Sequence, residues 1–353
     1  MNKILLLSII FLFLPLVLFT QQSSPNDRDS LPSPSFFDRL YALKADVLEL
    51  TVETDMRQLI WEKDEEKYLP ATIRYLNDEG DTIRWEAEVR ARGNARKKIC
   101  YYPPVKIKLK KSILRERDTD DDYKSFKIVN QCNNDGPSES YAIKEYLAYK
   151  LYNVATPYSF RVRMLSVTYI DSGSRKRKET RLYGFLIEDE EELAERWGGD
   201  LLEREKFGAH MLEQGPLQCL ALFQYMIGNT DWAVANLHNL EIIKVPEFQK
   251  VIAVPYDFDY SGLVNTSYAV PHSSLPISDV QERLYRGPDC TEEEASRWIK
   301  HFRERKEAFL QACRQPPLLD EKDEKQVEQY LSSFFEELET PESIMKTLCR
   351  KSD

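Results

Sequence analysis

Two aspartates, Asp257 and Asp259, stand two residues apart in the stretch PYDFDYSG. In extended chain such residues project to one side, so their carboxylates could share a hard divalent cation. Upstream, a polar stretch at 229–239 carries Asp231 within GNTDW, followed by Asn236 and Asn239. An aspartate in such a loop either caps a turn or serves as a proton acceptor. Nearer the N-terminus stand Arg92, Gly93 and Asn94, then Lys127 in SFKIV, with Lys106 and Lys108 as competing cations. Glu145, on a segment of helical periodicity, is either an ion-pair partner for Lys127 or a solvated helix carboxylate.

The elements that must position these groups follow from hydrophobic spacing. Alternation at 47–53, 72–76 and 83–91, with a turn at 77–81, predicts antiparallel strands. VKIKL at 105–109 alternates strictly, and 126–129 is a further short strand. The turn-forming run 133–137 leads to Ser138 as N-cap of a helix reaching Tyr152, with Ile143, Leu147 and Leu151 as its apolar ridge. Strands at 161–170 and 181–187 flank a hairpin loop with the basic tip RKRK. The segment 216–227 opens on Pro216, stops at Gly228 and is apolar nearly all round, which predicts a buried helix. Strands 240–244 and 250–254 are joined by the short VPEFQ, so an antiparallel return sets Asn239 beside the residue that follows the second strand. From Ser278 onward the pattern is mostly helical.

In this order the elements resemble a protein-kinase-like fold. RARGNARKK at 90–98, FKIV followed by KEYLAYKLY, and GNTDW with PYDFD resemble the CotH family of atypical kinases; HipA-type toxin kinases share the last pair of motifs. The likeness spans 88–262. It implies an α+β, two-lobed protein-kinase-like fold, with a β-rich N-lobe at 39–187 and a mainly helical C-lobe at 188–353. It also implies Mg2+- or Mn2+-dependent phosphoryl transfer from ATP to a protein or small-molecule acceptor, a reaction that needs an orienting carboxylate, metal ligands and cations for the phosphates. On this reading Asp231 is catalytic, Lys127 pairs with Glu145 at the nucleotide, and Arg92, Gly93 and Asn94 form the loop over the phosphates, where the alternative is a plain hairpin turn. Glu188 begins an acidic hinge whose backbone would meet adenine, unless 188–190 is only a charged linker. Asp257 leads Asp259 as metal ligand because it aligns with the first acid of the family motif. Spacing favours Asn236 as the amide ligand, whereas register before a rigid strand favours Asn239, and register leads. The sequence departs from the kinase pattern in having no DFG and only one glycine in the phosphate loop.

The whole chain sets the context. A net charge of −10, with acidic runs at 118–122 and 188–192 against one basic run at 175–178, argues against a nucleic-acid partner. Lys3 followed by the apolar run 4–19 reads as a signal peptide within 1–20, with an uncleaved membrane anchor as the alternative; the run is short for a bilayer span. A Ser- and Pro-rich linker at 21–38 follows, and the expected location is periplasmic, extracellular or membrane-tethered. Six cysteines would then meet an oxidising compartment, with Cys100 and Cys132 the favoured pair and Cys219 a buried thiol. A helix over 291–311 would keep Cys290 and Cys313 apart. The competing function is a non-catalytic surface or periplasmic binding protein that keeps a pseudokinase scaffold, since fold alone does not specify chemistry.

Overall fold

Period-two burial turns the first half of the chain into strands that share one interior. In the computed structural model, which describes residues 33–203, 206–314 and 318–349, helix α1 (Phe36–Tyr41) precedes β1 (Leu48–Thr54). Then come α2 (Met56–Trp61), β2 (Leu69–Leu76), β3 (Thr82–Ala91), α3 (Ala95–Ile99), β4 (Val105–Leu109), α4 (Lys111–Glu116) and β5 (Ser125–Asn130). The long α5 (Gly136–Ala155) leads into the hairpin of β6 (Val162–Asp171) and β7 (Glu179–Ile187). The expected signal segment 1–20 and the linker up to residue 32 lie outside the described residues.

These seven strands close into a barrel in the order β1-β2-β3-β4-β5-β7-β6. Neighbours are antiparallel except β1 and β6, which pair in parallel from Leu48↔Leu165 to Thr54↔Asp171. Leu50 and Val52 of β1 pack inside with Ile73, Val89, Ile107, Ile128 and Val167. This closed mixed barrel overturns the expected two-lobed kinase-like fold with its helical C-lobe. Closure leaves the ring without a free edge, because β1 and β6, far apart in sequence, satisfy each other's backbone. The described residues from Pro34 onward make one compact unit.

The β5–β7–β6 side of the barrel is buried on both faces. Ile128, Leu186 and Leu165 point into the barrel, while Val129, Phe185 and Met164 point out into a second core built on α5. Gly184 allows the close approach of β7 to β5, since a Cβ there would sit 2.5 Å from the Val129 carbonyl oxygen. The second core continues through α6 (Glu190–Glu195), β8 (Asp200–Leu201), α7 (Gln214–Met226), β9 (Leu240–Lys244) and β10 (Ile252–Pro255). Strands β8, β9 and β10 form a separate three-stranded sheet. Helices α8 (Glu292–Glu304), α9 (Lys306–Cys313), α10 (Glu321–Glu339) and α11 (Pro341–Leu348) complete the chain.

Three local expectations change. Asp135, not Ser138, caps α5 by accepting from the Ser138 N–H at 2.8 Å, which lets Gly136 and Pro137 occupy the first turn. The single helix expected over 291–311 breaks at Arg305 into α8 and α9, so Phe302 and Phe309 stack at 5.5 Å. The second hairpin strand begins at Ile252 rather than 250, because Val251 bridges Leu212 instead.

Helix α1 plugs one mouth of the barrel, with Phe36 stacked on Phe126 at 4.9 Å and edge-on to Trp85 at 5.1 Å. Ser35 forms a capping box with Asp38 and donates from Oγ to buried Glu192 Oε1 at 2.5 Å. Glu192 Oε2 has no hydrogen-bond partner. Burial, opposed by the Ser35 bond and reinforced by Asp38, pushes the Glu192 carboxyl up to about 7. A raised carboxyl binds more protons in the folded state, so its contribution is full below about pH 4.5 and is lost as pH rises through about 7. Glu192→Gln is expected to flatten that loss, on the order of 2–3 kcal/mol, in urea titrations across this window; an unchanged slope would remove Glu192 as its source.

Cys100 and Cys132 are joined as a disulfide that ties the end of α3 to the end of β5. Cys219 and Cys313 are buried thiols, each pushed up to about 12 by burial. Peptide mapping without reductant is expected to recover the Cys100–Cys132 link and to leave Cys219 and Cys313 resistant to alkylation until the chain is denatured. Its reduction is expected to cost about 3–4 kcal/mol of stability for a loop of this length.

Candidate active site

Strand β3 ends at Ala91, and the Arg92 N–H donates to Pro104 O at 2.9 Å. Gly93, at φ 89°, turns the chain into α3 instead of into a plain hairpin. A helix of five residues cannot hold itself in water. Here α3 is held by the Cys100–Cys132 disulfide, by Lys97 on Glu66 at 2.7 Å and by Lys63 on Cys100 O at 2.8 Å. This fixes the direction of Arg96, which reaches away from the barrel toward α5.

Arg96 joins three carboxylates from two elements. Its guanidinium donates to Glu145 Oε2 at 2.6 Å, Asp257 Oδ1 at 3.2 Å and Asp259 Oδ2 at 2.9 Å. Tyr268 also donates to Asp259 Oδ2, at 2.9 Å. Glu145 is 2% exposed, and its Oε1 has no partner. Loss of water raises the Glu145 carboxyl well above the ordinary range, Arg96 opposes the rise, and Asp259 and Asp257 add to it. The same causes, burial first and Asp259 second, raise Asp257. Asp257 nevertheless keeps 49% of its side-chain surface open.

The β9–β10 hairpin sets the opposite wall. Leu240 pairs with Pro255, and Tyr256 N–H donates to Asn239 O at 3.1 Å, so Asn239 and Asp257 face the same space. Both occupy the left-handed region, at φ 55° and 59°, as does Leu237 at 53°. Asn and Asp tolerate this conformation; a leucine there stores strain, and such strain clusters at functional sites. The Tyr149 hydroxyl accepts from the Asp257 N–H at 2.9 Å and holds its backbone in place. From the loop after α7, Asp231 meets the hairpin: Asn239 Nδ2 donates to Asp231 O at 2.7 Å and Oδ2 at 3.0 Å, and His238 Nε2 lies 2.8 Å from Oδ1. With Nδ2 committed to Asp231, the Asn239 oxygen is its remaining acceptor.

Arg96, its three carboxylates, Tyr149 and the Asp231, Leu237, His238 and Asn239 group line one cleft of about 690 Å³. Arg92, Gly93 and Asn94 form one rim, Lys127 and Glu188 stand at the β5–β7 side, and Glu145 closes the back. Asp231, Asn236, Asn239, Asp257 and Asp259 complete the lining. Among the described residues the Arg92 guanidinium has no hydrogen-bond or ion-pair partner, and its charge opposes the rise at Asp257.

Two expectations are corrected here. Lys127 does not pair with Glu145: it pairs with Glu190 at the start of α6, while Arg96 takes Glu145. Glu145 lies deep behind α3, where the guanidinium reaches first. Glu188 is fully buried and accepts from Arg161 Nε at 2.8 Å and Arg196 Nε at 2.9 Å, and its N–H donates to Arg161 O at 3.0 Å. Its donor is therefore spent within the fold, and the side chain ties β6 to α6. Sequence reasoning also passed over Arg96, His238 and Glu241. Arg96 sits inside the RARGNARKK motif and His238 adjoins Asn239, so proximity was the available signal. Glu241 is pushed up to about 7 by burial and then by Glu190.

The oxygen donors Asp257 and Asn239 suit Mg2+ or Mn2+, which commonly take one or two protein oxygens together with phosphate oxygens. Asp259 is less available, since Arg96 and Tyr268 both use its Oδ2. Among the described residues no group of three or more His, Cys, Asp or Glu side chains is arranged to hold a metal ion. No family model matches the chain, and the search of curated proteins gave no match.

Arg96→Ala would strand Glu145 and Asp259 as buried, uncompensated charges, and is expected to cost about 3–5 kcal/mol at mildly alkaline pH. Glu145, already raised by burial, would be raised further once Arg96 no longer opposes the rise, so the loss should shrink as pH falls toward the ordinary carboxylate range. Chemical denaturation of wild type and variant at two pH values checks this; an equal loss at both would remove the carboxylates as the cause.

Proposed function

We propose that this cleft binds ATP with Mg2+ or Mn2+ and transfers a phosphoryl group to a protein or small-molecule acceptor outside the cytoplasm. The observation that carries the reading is the meeting, in one cleft, of the half-open Asp257, the Asp231–Asn239 pair and the unpartnered Arg92. The motif resemblance to CotH-type kinases supports the activity without requiring the kinase fold.

Each side chain has a role on this reading. Arg92, with Lys127 behind it, attracts the phosphates, and Gly93 and Asn94 bring backbone close to them. Asp257 and the Asn239 oxygen would hold the cation, with Asp259 in support; Asn236, earlier in the loop and also lining the cleft, is a secondary candidate. The cation would neutralise charge on the phosphate oxygens. Asp231, oriented by Asn239 and His238, takes the hydrogen bond of the acceptor hydroxyl and receives its proton as the oxygen bonds to the γ-phosphorus and ADP leaves with the bridging oxygen. Glu145 acts through Arg96, whose position it fixes. Glu188 keeps β6 and α6 in register at the cleft edge.

One feature favours a second reading, a nucleotide- or anion-binding protein without turnover. Arg96 neutralises Glu145, Asp257 and Asp259 together, and Glu190 occupies Lys127, so much of the cleft's charge is already balanced internally.

Calorimetry with ATP, with and without MgCl2 or MnCl2, separates these readings when combined with a phosphate-release or acceptor-labelling assay. Wild type is expected to bind ATP more tightly with the cation. Asp257→Asn, which keeps a residue tolerant of φ 59°, should remove that gain while leaving the melting temperature unchanged. Arg92→Ala should weaken binding about tenfold. Binding without turnover selects the second reading, binding indifferent to metal overturns the first, and absence of binding overturns both.

A further inference from the structure

A second hollow, of about 430 Å³, opens at the barrel mouth opposite α1 and shares no lining residue with the cleft. It lies between α2, the segment after α3 and the loop of the β6–β7 hairpin. Two aromatic side chains stand at it in water: Trp61 is 81% exposed and Tyr101 is 56% exposed. A tryptophan this open gains little for the fold, and aromatic side chains of this kind are the usual anchors of protein interfaces. Tyr101 is braced edge-on by Tyr102 at 4.8 Å and sits next to the disulfide-bonded Cys100, so the surface is held in shape before anything binds.

Three of the four charged residues that line the hollow are basic. Arg57, Arg175 and Lys178 line the hollow with no ion-pair partner among the described residues, on a chain whose net charge is −10. The acid among them, Asp171, spends Oδ1 on the N–H groups of Met56 and Gly173, each at 3.1 Å. The hairpin tip that supplies Arg175 and Lys178 is the one compact basic run of the sequence, and the cleft makes no use of it.

We propose that this hollow docks an acidic segment of a partner polypeptide that carries an apolar side chain. The apolar group would lie on Trp61 and Tyr101, and flanking carboxylates would meet Arg57, Arg175 and Lys178. The concave form favours a protruding chain over a flat anionic membrane, which could not bring its headgroups onto the floor of the hollow. The inference stands apart from phosphoryl transfer, because no cleft residue takes part.

The test uses the full described chain and a short fluorescein-labelled peptide of Asp and Glu around a central Phe, followed by anisotropy. Binding is expected, and it should weaken at least about tenfold with Trp61→Ser, with the double change Arg175→Glu and Lys178→Glu, or when Phe in the peptide becomes Ser. Raising the salt concentration should weaken it further. These positions are exposed, so the variants should keep the wild-type melting temperature and any ATP binding. Absence of peptide binding, equal binding by the variants, or preferential sedimentation with phosphatidylserine vesicles would overturn the proposal.

Discussion

The cleft depends on one guanidinium. Arg96 reaches three carboxylates that belong to α5 and to the chain after β10, and through them it fastens the barrel side of the molecule to the second core. Each acid alone would be costly to hold away from water, and the charge of Asp259 raises both Glu145 and Asp257. A single cation with a planar fork of donors suits this crowding; a lysine, with a point charge, would satisfy fewer of the oxygens at once. The position of Arg96 depends in turn on α3, which the disulfide and the Lys97–Glu66 pair hold against the barrel.

The same arrangement explains the distribution of open and closed chemistry. Glu145 and Asp259 are spent on holding the structure, whereas Asp257 keeps half its surface toward the cleft and Asp231 is oriented by neighbours on both oxygens. Left-handed backbone at Leu237, Asn239 and Asp257 concentrates strain on the hairpin that presents these groups. Buried β9 and β10 supply the rigidity that such a conformation needs.

Much of the site could be read from the sequence because its parts are local. Asn239 and Asp257 flank two apolar strands joined by a short Pro-containing turn, and antiparallel pairing allows few other placements. The strands of the barrel were likewise visible in their alternation. What alternation cannot encode is which distant strand becomes the neighbour, so the parallel β1–β6 contact, and with it the closed barrel, was missed in favour of two lobes. The Lys127–Glu145 pairing failed for a related reason. Charge type gives no distance, and Arg96, placed by a disulfide and a short helix, lies nearer to Glu145 than any strand lysine does. The break at Arg305 was hidden as well, because the segment keeps helical periodicity on both sides of it.

Closure through β1 and β6 also sets an order on how the chain can be finished. Strand β1 is made early and finds β2 within a few tens of residues, yet its other edge waits for a partner more than a hundred residues downstream. During synthesis that edge is an open row of donors and acceptors able to recruit any passing strand. The ring therefore gains its final permanence only after the hairpin of β6 and β7 has emerged. Until then the earliest strand is the most exposed to misassociation, and a slow or stalled chain is at greatest risk in the interval before residue 162 appears.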